Sequence, residues 1–257
     1  MSAREDIAFL VGSEVRIDLL QTLRSTPARP SDLADRCSCA RETAQRTVTG
    51  FADRGWAEKV PDTDRYRLTT AGEIVAESYA EFEECLDVTA RFRHLLANLE
   101  GVDGLECEML AETTRTRATP ENPHTPINRL LELMDCDQID TLRGVTPIVS
   151  RMFNQTAASA IGPDSDIDLV VDKDVLETSA AEYPEALERA EQLPGFTLYV
   201  SPQPVGFGLV IVDGHAFLGA YDDQGNLVAS ADDDGDLFVS WARRTFARIR
   251  DRSSVWS

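Results

Sequence analysis

Residues 14–56 decide the fold of the first part of this chain: EVRIDLLQTLRSTPARPSDLADRCSCARETAQRTVTGFADRGW. Apolar side chains recur at helical spacing in residues 14–25, and the stretch TPARP then interrupts the pattern. Ser31 opens a second short amphipathic stretch, in which Leu33 and Ala34 can face inward. These residues predict a helix, a break and a second short helix.

A third helix is predicted for residues 40–55, after the connector at residues 37–39. Ala44, Val48 and Phe51 stand at positions i, i+4 and i+7, so one face of this helix is apolar and the opposite face is polar. The glycine that closes the stretch can end the helix, because glycine tolerates a positive φ.

Two short extended runs follow this helix, AEKV at residues 57–60 and RYRLT at residues 65–69, and the turn-forming PDTD joins them. They predict a β-hairpin. The order of helix, short helix, polar-faced helix and basic hairpin is that of a winged helix-turn-helix, whose third helix enters the major groove of DNA.

The same region resembles archaeal winged-helix regulators of the broad ArsR and MarR kind, through RPSDLADR, ARETAQRTVTGFADRGW and YRLTTAGE. The resemblance covers residues 14–75. It implies that the groove-facing side chains lie in the first two turns of the third helix, which here carry Arg41, Glu42, Thr43, Gln45 and Arg46.

The chemistry of these side chains suits contacts with bases, because Arg pairs with guanine, Gln pairs with adenine, and Thr contacts phosphate or a thymine methyl group. Two arginines alternate on the second wing strand and can reach phosphate or the minor groove. The predicted DNA-binding residues are Arg41, Thr43, Gln45, Arg46, Arg65 and Arg67. Two alternatives stay open: the arginines only solvate a helix face, or the winged helix is a protein-interaction module.

Charge is unevenly distributed along the chain. The net charge is −20, yet residues 1–72 carry 11 basic and 11 acidic side chains, against 14 and 34 in the remainder. An acidic surface repels phosphate, so DNA contact is expected in the N-terminal third. The only lysines are Lys59 and Lys173, a composition that resembles proteins of salt-loving archaea. At molar salt the Debye length is about 3 Å, so an acidic protein can still bind DNA.

We expect a cytoplasmic protein without a membrane segment. The first residues lack the basic-then-apolar order of a signal peptide, and no apolar run reaches the roughly 18 residues that cross a bilayer. Five scattered cysteines argue against a disulfide framework and for a reducing cytosol.

A long helix is predicted for residues 73–100, after the wing. Such a helix commonly pairs two subunits, and a homodimer would place two recognition helices about 34 Å apart for a palindromic double-stranded site. The alternative is that this helix packs only on its own C-terminal domain. The predicted domains are a winged helix-turn-helix at 1–72, a linking helix at 73–100 and an effector-sensing domain at 101–257.

Extended and helical segments alternate after residue 101, beginning with the extended LECEML at residues 105–110 and ending with a helix at residues 174–193. The consecutive strands FTLYVS (196–201), FGLVIVDG (207–214) and HAFLGAY (215–221) and a last helix at residues 237–252 are predicted to follow. Alternation predicts an α/β sheet, and the turn signals near residues 213 and 225 predict an antiparallel tail. The predicted fold class is therefore α/β, in a multi-domain α+β chain with an N-terminal winged helix-turn-helix, a long linking helix and a C-terminal mixed α/β domain.

This second part is similar to the effector-type domain of methanogenesis-filament-regulator-like proteins of archaea, through LRGVTP, DLVVDKDVLE and FGLVIVDGHAFLGAYDDQGNL. The similarity covers roughly residues 105–250 and implies a sensing domain for an unidentified small-molecule effector. Arg143, Arg151 and Phe207 are the candidate ligand-binding residues, chosen at motif ends and loops. Purely structural roles for all three stay open.

An enzymatic alternative rests on Asp166 and Asp168, whose spacing matches the Mg²⁺-binding strand of minimal nucleotidyltransferases. That family also requires a Gly-Ser pair upstream to hold phosphate, and FNQTAASAIGP contains none. Cys37 and Cys39 resemble the thiol pair of metal-sensing ArsR repressors, but they occupy the turn, and soft metals need three or four ligands. We therefore expect no enzyme activity, no cofactor and no metal, with metal or thiol sensing as an open alternative.

Overall fold

The computed structural model describes residues 2–256, without the side chain of Ala158. The chain forms two compact units, one that ends at Leu86 and one that begins at Asp87. The predicted fold class is confirmed, since helices and a two-stranded sheet build the first unit and a mixed α/β sheet builds the second. The division into three domains stays a prediction.

The first unit has the predicted order of elements, preceded by one helix that the sequence analysis did not predict. Its elements are α1 (Ala3–Val11), α2 (Glu14–Ser25), α3 (Pro30–Arg36), α4 (Arg41–Asp53), β1 (Ala57–Lys59), β2 (Tyr66–Leu68) and the part of α5 (Thr70–Arg91) up to Leu86. Helix α5 begins before the predicted start of the linking helix, and a separate short helix continues after its end.

The core of this unit follows the apolar pattern read from the sequence. Leu19 and Leu20 of α2 pack with Leu33 of α3 and with Val48 and Phe51 of α4, and all five side chains are fully buried. Removing such side chains from water contributes about 1.5–3 kcal/mol each. The helix-turn-helix is therefore held by one shared core.

The base of the wing lies tightly against the start of α5. A Cβ atom on Gly72 would stand 1.9 Å from the carbonyl oxygen of Trp56, so only glycine allows this approach. Strands β1 and β2 pair antiparallel, with Glu58 opposite Arg67.

After α5, the described residues of the second unit form seven helices and one large sheet. Its helices are α6 (Arg93–Leu96), α7 (Cys107–Ala111), α8 (Thr125–Met134), α9 (Arg151–Ala160), α10 (Lys173–Glu182), α11 (Pro184–Glu191) and α12 (Asp236–Arg250). Its strands are β3 (Thr114–Arg117), β4 (Ile139–Val145), β5 (Ile161–Asp172), β6 (Phe196–Ser201), β7 (Phe207–Val212), β8 (His215–Tyr221), β9 (Leu227–Asp233) and β10 (Ser254–Val255).

The eight strands lie in the order β10-β6-β5-β4-β7-β8-β9-β3. The β4-β5 and β5-β6 pairs are parallel, and every other pair in this sheet is antiparallel. The predicted hairpin turn at Asp213 and Gly214 is present, with both residues at positive φ. The predicted antiparallel tail is thus confirmed.

Helices cover both faces of this sheet. Val145 and Leu209 belong to the core that includes Phe238 and Trp241 of α12. On the opposite face, Leu142, Val212 and Phe217 share a second core with Met134 of α8 and with Phe153 of α9. Side chains at successive positions along a strand point to opposite faces of the sheet and therefore pack in different cores.

Several predicted elements are wrong in detail. LECEML was expected to be extended, but Cys107–Ala111 is a helix that buries Leu110, since a short apolar run does not distinguish a strand from a helix. The helix expected after residue 173 is two helices, because Pro184 has no N–H to continue α10 and Tyr183 leaves the helical conformation. Strand β3 was not predicted.

The cysteines differ from the expectation of five thiols. Cys37, Cys39 and Cys136 are free, whereas Cys85 and Cys107 are disulfide-bonded, so the argument against disulfides is wrong for these two residues. The sequence pattern gave no signal for these two residues.

Among residues 2–256, none of the helices combines the length and the apolar character that crossing a bilayer requires.

Candidate nucleic-acid interface

Helix α4 has one face locked in the core and one face open to solvent. Ala44, Val48 and Phe51 are each 0% exposed, whereas Arg41 and Arg46 lie on the exposed side. The helical period of 3.6 residues separates the two faces, so the buried ridge fixes the direction of the exposed arginines.

The exposed residues of α4 have few partners of their own. Arg41 and Arg46 form no ion pair with any residue from 2 to 256. The amide Nε2 of Gln45 lies 3.4 Å from Oγ1 of Thr49, and Thr43 is half-buried. The structure therefore places four predicted DNA-binding residues on one helix, with both guanidinium groups available to a ligand.

The two wing arginines differ in their surroundings. The Nε atom of Arg67 donates to Oε1 of Glu58 at 2.8 Å, and its Nη2 atom is 2.6 Å from the same oxygen. Arg65 is exposed and has no carboxylate partner within the described chain. Only one of the two wing arginines is thus free of an acidic neighbour.

The turn between α3 and α4 contains the two thiols. Ser38 adopts a φ of 52°, and the Sγ atom of Cys37 lies 3.4 Å from Oγ1 of Thr22. Burial, with a smaller contribution from Cys37, raises the pKa of the Cys39 thiol. A raised pKa disfavours the thiolate that binds metals, and the described residues contain no group of three potential metal ligands.

Sequence reasoning missed two basic residues near the helix-turn-helix. Arg36 ends α3 beside the turn and is exposed, and nothing in residues 2–256 forms an ion pair with it. A basic residue in the last turn of a helix was the available signal. Arg54 follows α4, but its Nε atom donates to Oδ1 of Asp6 at 3.0 Å, so it is engaged within the protein.

The three candidate ligand-binding residues do not meet. Arg143 lies beside two carboxylates, with Nη2 2.5 Å from Oδ2 of Asp166 and Nε 3.4 Å from Oδ2 of Asp168. Phe207 is buried in the core under α12. Arg151 is exposed at the start of α9. Of the two main cavities, one is lined by none of these three side chains and the other by Arg151 alone.

The same arginine bears on the enzymatic alternative. Asp166 and Asp168, the two carboxylates of that hypothesis, face Arg143, and Nη1 of Arg250 is 3.9 Å from Oδ2 of Asp168. Guanidinium groups here occupy the position that a Mg²⁺ ion would need. This arrangement is an ion-pair cluster on β4 and β5.

The described residues thus form a winged helix-turn-helix unit followed by a unit built on a mixed β-sheet. The model of the middle domain of the methanogenesis regulatory protein FilR1 matches residues 123–252, just over half of the chain. The chain therefore belongs to the FilR1 middle-domain family. Residues 4–91 match a second family model, the HVO_A0261 N-terminal domain.

Solved structures resemble the chain only distantly. The archaeal chromatin protein TrmBL2 is 12% identical, with 94% of each chain covered and a TM-score of 0.43. ZitR of Lactococcus lactis is 11% identical over 34% of this chain and 62% of its own, with a TM-score of 0.27. The methyltransferase SibL is 14% identical over 76% and 62%, with a TM-score of 0.28. These likenesses carry no functional argument, and no curated protein matches the chain.

Proposed function

We propose that this protein is a sequence-specific, DNA-binding transcription regulator of the archaeal cytoplasm, with α4 as its recognition helix and the second unit as a sensor. The ArsR-like and halophilic assignments belong to this proposal. The regulatory family of residues 123–252 supports it, and so does the N-terminal family match. The protein acts as a regulator and not as an enzyme.

One observation carries the proposal: Arg41 and Arg46 are exposed on a helix whose opposite face is buried, and no carboxylate among residues 2–256 forms an ion pair with them. In a chain of net charge −20, unpaired cations directed outward by a rigid core favour an anionic ligand. A two-helix unit followed by a β-hairpin is the arrangement that delivers such side chains to the major groove.

A homodimer is part of the proposal. Ile74 and Phe82 of α5 are 60% and 57% exposed, which is unusual for large apolar side chains on one helix. A second copy of α5 would cover them, and the pairing would supply two recognition helices for a palindromic site.

The sensing function lies in the second unit, and its effector is a small molecule. Arg143, Arg151 and Phe207 remain candidate ligand-binding residues. Of these, Arg143 already forms ion pairs with Asp166 and Asp168, which is the role that suits it best. Binding regulates only if the ligand has different affinities for the states with high and low DNA affinity.

The test begins with selection of bound fragments from genomic DNA, followed by affinity measurements on the enriched duplex. Arg41→Ala and Arg46→Ala each remove base or phosphate contacts, so each should weaken binding about tenfold or more. Arg24→Ala is the matched control, because Arg24 already pairs with Glu77 at 3.0 Å on the surface of the same unit. If no duplex is enriched at any ionic strength, or both recognition-helix variants bind like the wild type, the protein-interaction alternative replaces this proposal.

A further inference from the structure

A cavity of about 490 Å³ lies within the second unit, on the sheet face that α8 and α9 cover. Its volume falls in the range of about 300–1,000 Å³ that small-molecule sites occupy. Strands β4, β5, β7 and β8 form its floor, and residues of α8 and α9 form part of its wall.

Glycine residues on that sheet face leave room for the cavity. Gly144 of β4 and Gly208 of β7 both line the cavity. A Cβ atom on Gly208 would stand 2.8 Å from the hydroxyl oxygen of Tyr221, so this glycine allows the phenol to lie over the sheet. A Cβ on Gly144 would approach Cδ1 of Leu169 to 2.9 Å.

The wall is mainly apolar, and His124 is the one described residue on it that can carry a positive charge. Its apolar residues include Ile127, Leu130, Phe153, Leu169, Val210 and Phe217. The one carboxylate, Asp222, accepts hydrogen bonds from the backbone N–H groups of Gln224 and Asn226 and from the Asn226 side chain. An anionic ligand would find no guanidinium or ammonium group here, and a cation would compete for a carboxylate already engaged.

Tyr221 is the polar group that the cavity leaves unused. Its hydroxyl has no hydrogen-bond partner among residues 2–256, and burial alone raises the pKa of this phenol. The hydroxyl is therefore neutral and able to donate or accept. Among the described residues no fully buried side-chain polar atom lacks a partner, so this unpaired hydroxyl is accessible from the cavity, and a ligand with a hydrogen-bonding group can pair with it. The amide of Asn154 lines the same cavity.

We propose that this cavity binds an uncharged, largely apolar small molecule whose single hydroxyl or carbonyl group hydrogen-bonds to Tyr221. As the place where the effector binds, this cavity is an alternative to Arg143, Arg151 and Phe207, none of which lines it. That this ligand is the effector depends on the proposed sensing function. That the cavity binds a ligand at all is supported by its volume and by the unpaired phenol of Tyr221.

The test uses two probes that differ only in a hydroxyl group, 2-naphthol and naphthalene, titrated into the full chain. The wild type should bind 2-naphthol about tenfold more tightly than naphthalene, which corresponds to one hydrogen bond. Tyr221→Phe should abolish that difference and leave naphthalene binding unchanged. Tyr199→Phe is the control, because Tyr199 packs against the core on the opposite sheet face.

Two outcomes overturn the inference: neither probe binds up to its solubility limit, or Tyr221→Phe retains the preference for 2-naphthol. Tyr221→Phe removes one hydroxyl from an enclosed ring, and thermal unfolding confirms that the variant is folded. DNA affinity without probe is measured on the same samples. A chain that binds DNA but neither probe contradicts only the cavity inference, and a chain that binds the probes but no DNA contradicts the proposed regulator.

Discussion

The guanidinium carbon of Arg54 lies 3.6 Å from the centre of the Phe9 ring. The same guanidinium donates from Nε to Asp6, and a Cβ on Gly50 would stand only 2.8 Å from Cζ of Phe9. Helix α1 is therefore attached to the end of the proposed recognition helix by a cation–π contact, an ion pair and a close ring approach. This contact connects the first residues of the chain to the orientation of α4.

Replacing Phe9 with alanine should destabilise the first unit by about 2 kcal/mol, since a half-buried ring loses contacts with Phe51, Trp56 and Arg54. Hydrogen exchange should become faster in residues 2–86 and stay unchanged in residues 87–256. Ile7→Ala is the control, because Ile7 is 61% exposed on the same helix. Equal effects of both substitutions would show that α1 does not support α4 through Phe9.

Arg65→Ala should weaken DNA binding more than Arg67→Ala, because Glu58 already neutralises Arg67. Loss of one phosphate contact reduces the slope of log affinity against log salt by about 1. Binding isotherms at several salt concentrations measure both effects. Glu58→Gln releases Arg67 and should increase affinity; a decrease would contradict the assignment of the wing to DNA.

Phe82→Asp should shift the protein from dimer to monomer, since a carboxylate within an apolar helix pair is unfavourable. Sedimentation velocity at several protein concentrations reports the change. Glu84→Gln, an exposed position elsewhere on α5, should leave the association state unaltered. A wild-type chain that stays monomeric at all concentrations rules out the proposed dimer.

Arg129→Met should destabilise the second unit by about 3 kcal/mol. Asp232 is 0% exposed, and Arg129 donates to its carboxylate from Nε and Nη2, at 3.1 and 2.6 Å, so the substitution leaves a buried charge with only His215 beside it. Urea unfolding followed by the fluorescence of buried Trp241 measures the change. The double variant Arg129→Met/Asp232→Leu should recover most of the loss, and failure to recover would point to packing of Arg129 as the cause.

Acid should loosen the turn at residues 222–226. The Asn226 side chain, followed by backbone N–H donors, lowers the pKa of Asp222 in the folded chain. Because the pKa of Asp222 is lower in the folded chain than in the unfolded chain, the ionised carboxylate stabilises the turn at pH values above the unfolded pKa. This stabilisation is lost as the pH falls through the folded pKa. NMR signals of the Asn226 side-chain amide should follow that titration. Asp222→Asn should remove the pH dependence, whereas an unchanged titration would contradict this origin.

Much of the fold was predictable because the periods of apolar residues are local. The ridge at Ala44, Val48 and Phe51 specified α4, and the strands FTLYVS and HAFLGAY are present with the predicted bounds. Helix α1 was not predicted, because the apolar side chains near Phe9 pack against residues that are distant in the sequence. The segment at residues 107–111 was misassigned for a related reason, since packing of Leu110 selects the helix.

The sequence by itself determined the helix-turn-helix, the wing, the alternation of the second unit and the placement of basic residues, since each depends on spacing between near neighbours. Only the tertiary structure decided which charged groups are free. Arg41 and Arg65 have no acidic partner among the described residues, whereas Arg67 and Arg54 each have one and Arg143 has two. Ion pairs and cavities arise where segments far apart in the chain meet, and pairing across that distance depends on strand register and helix packing, which no local pattern contains.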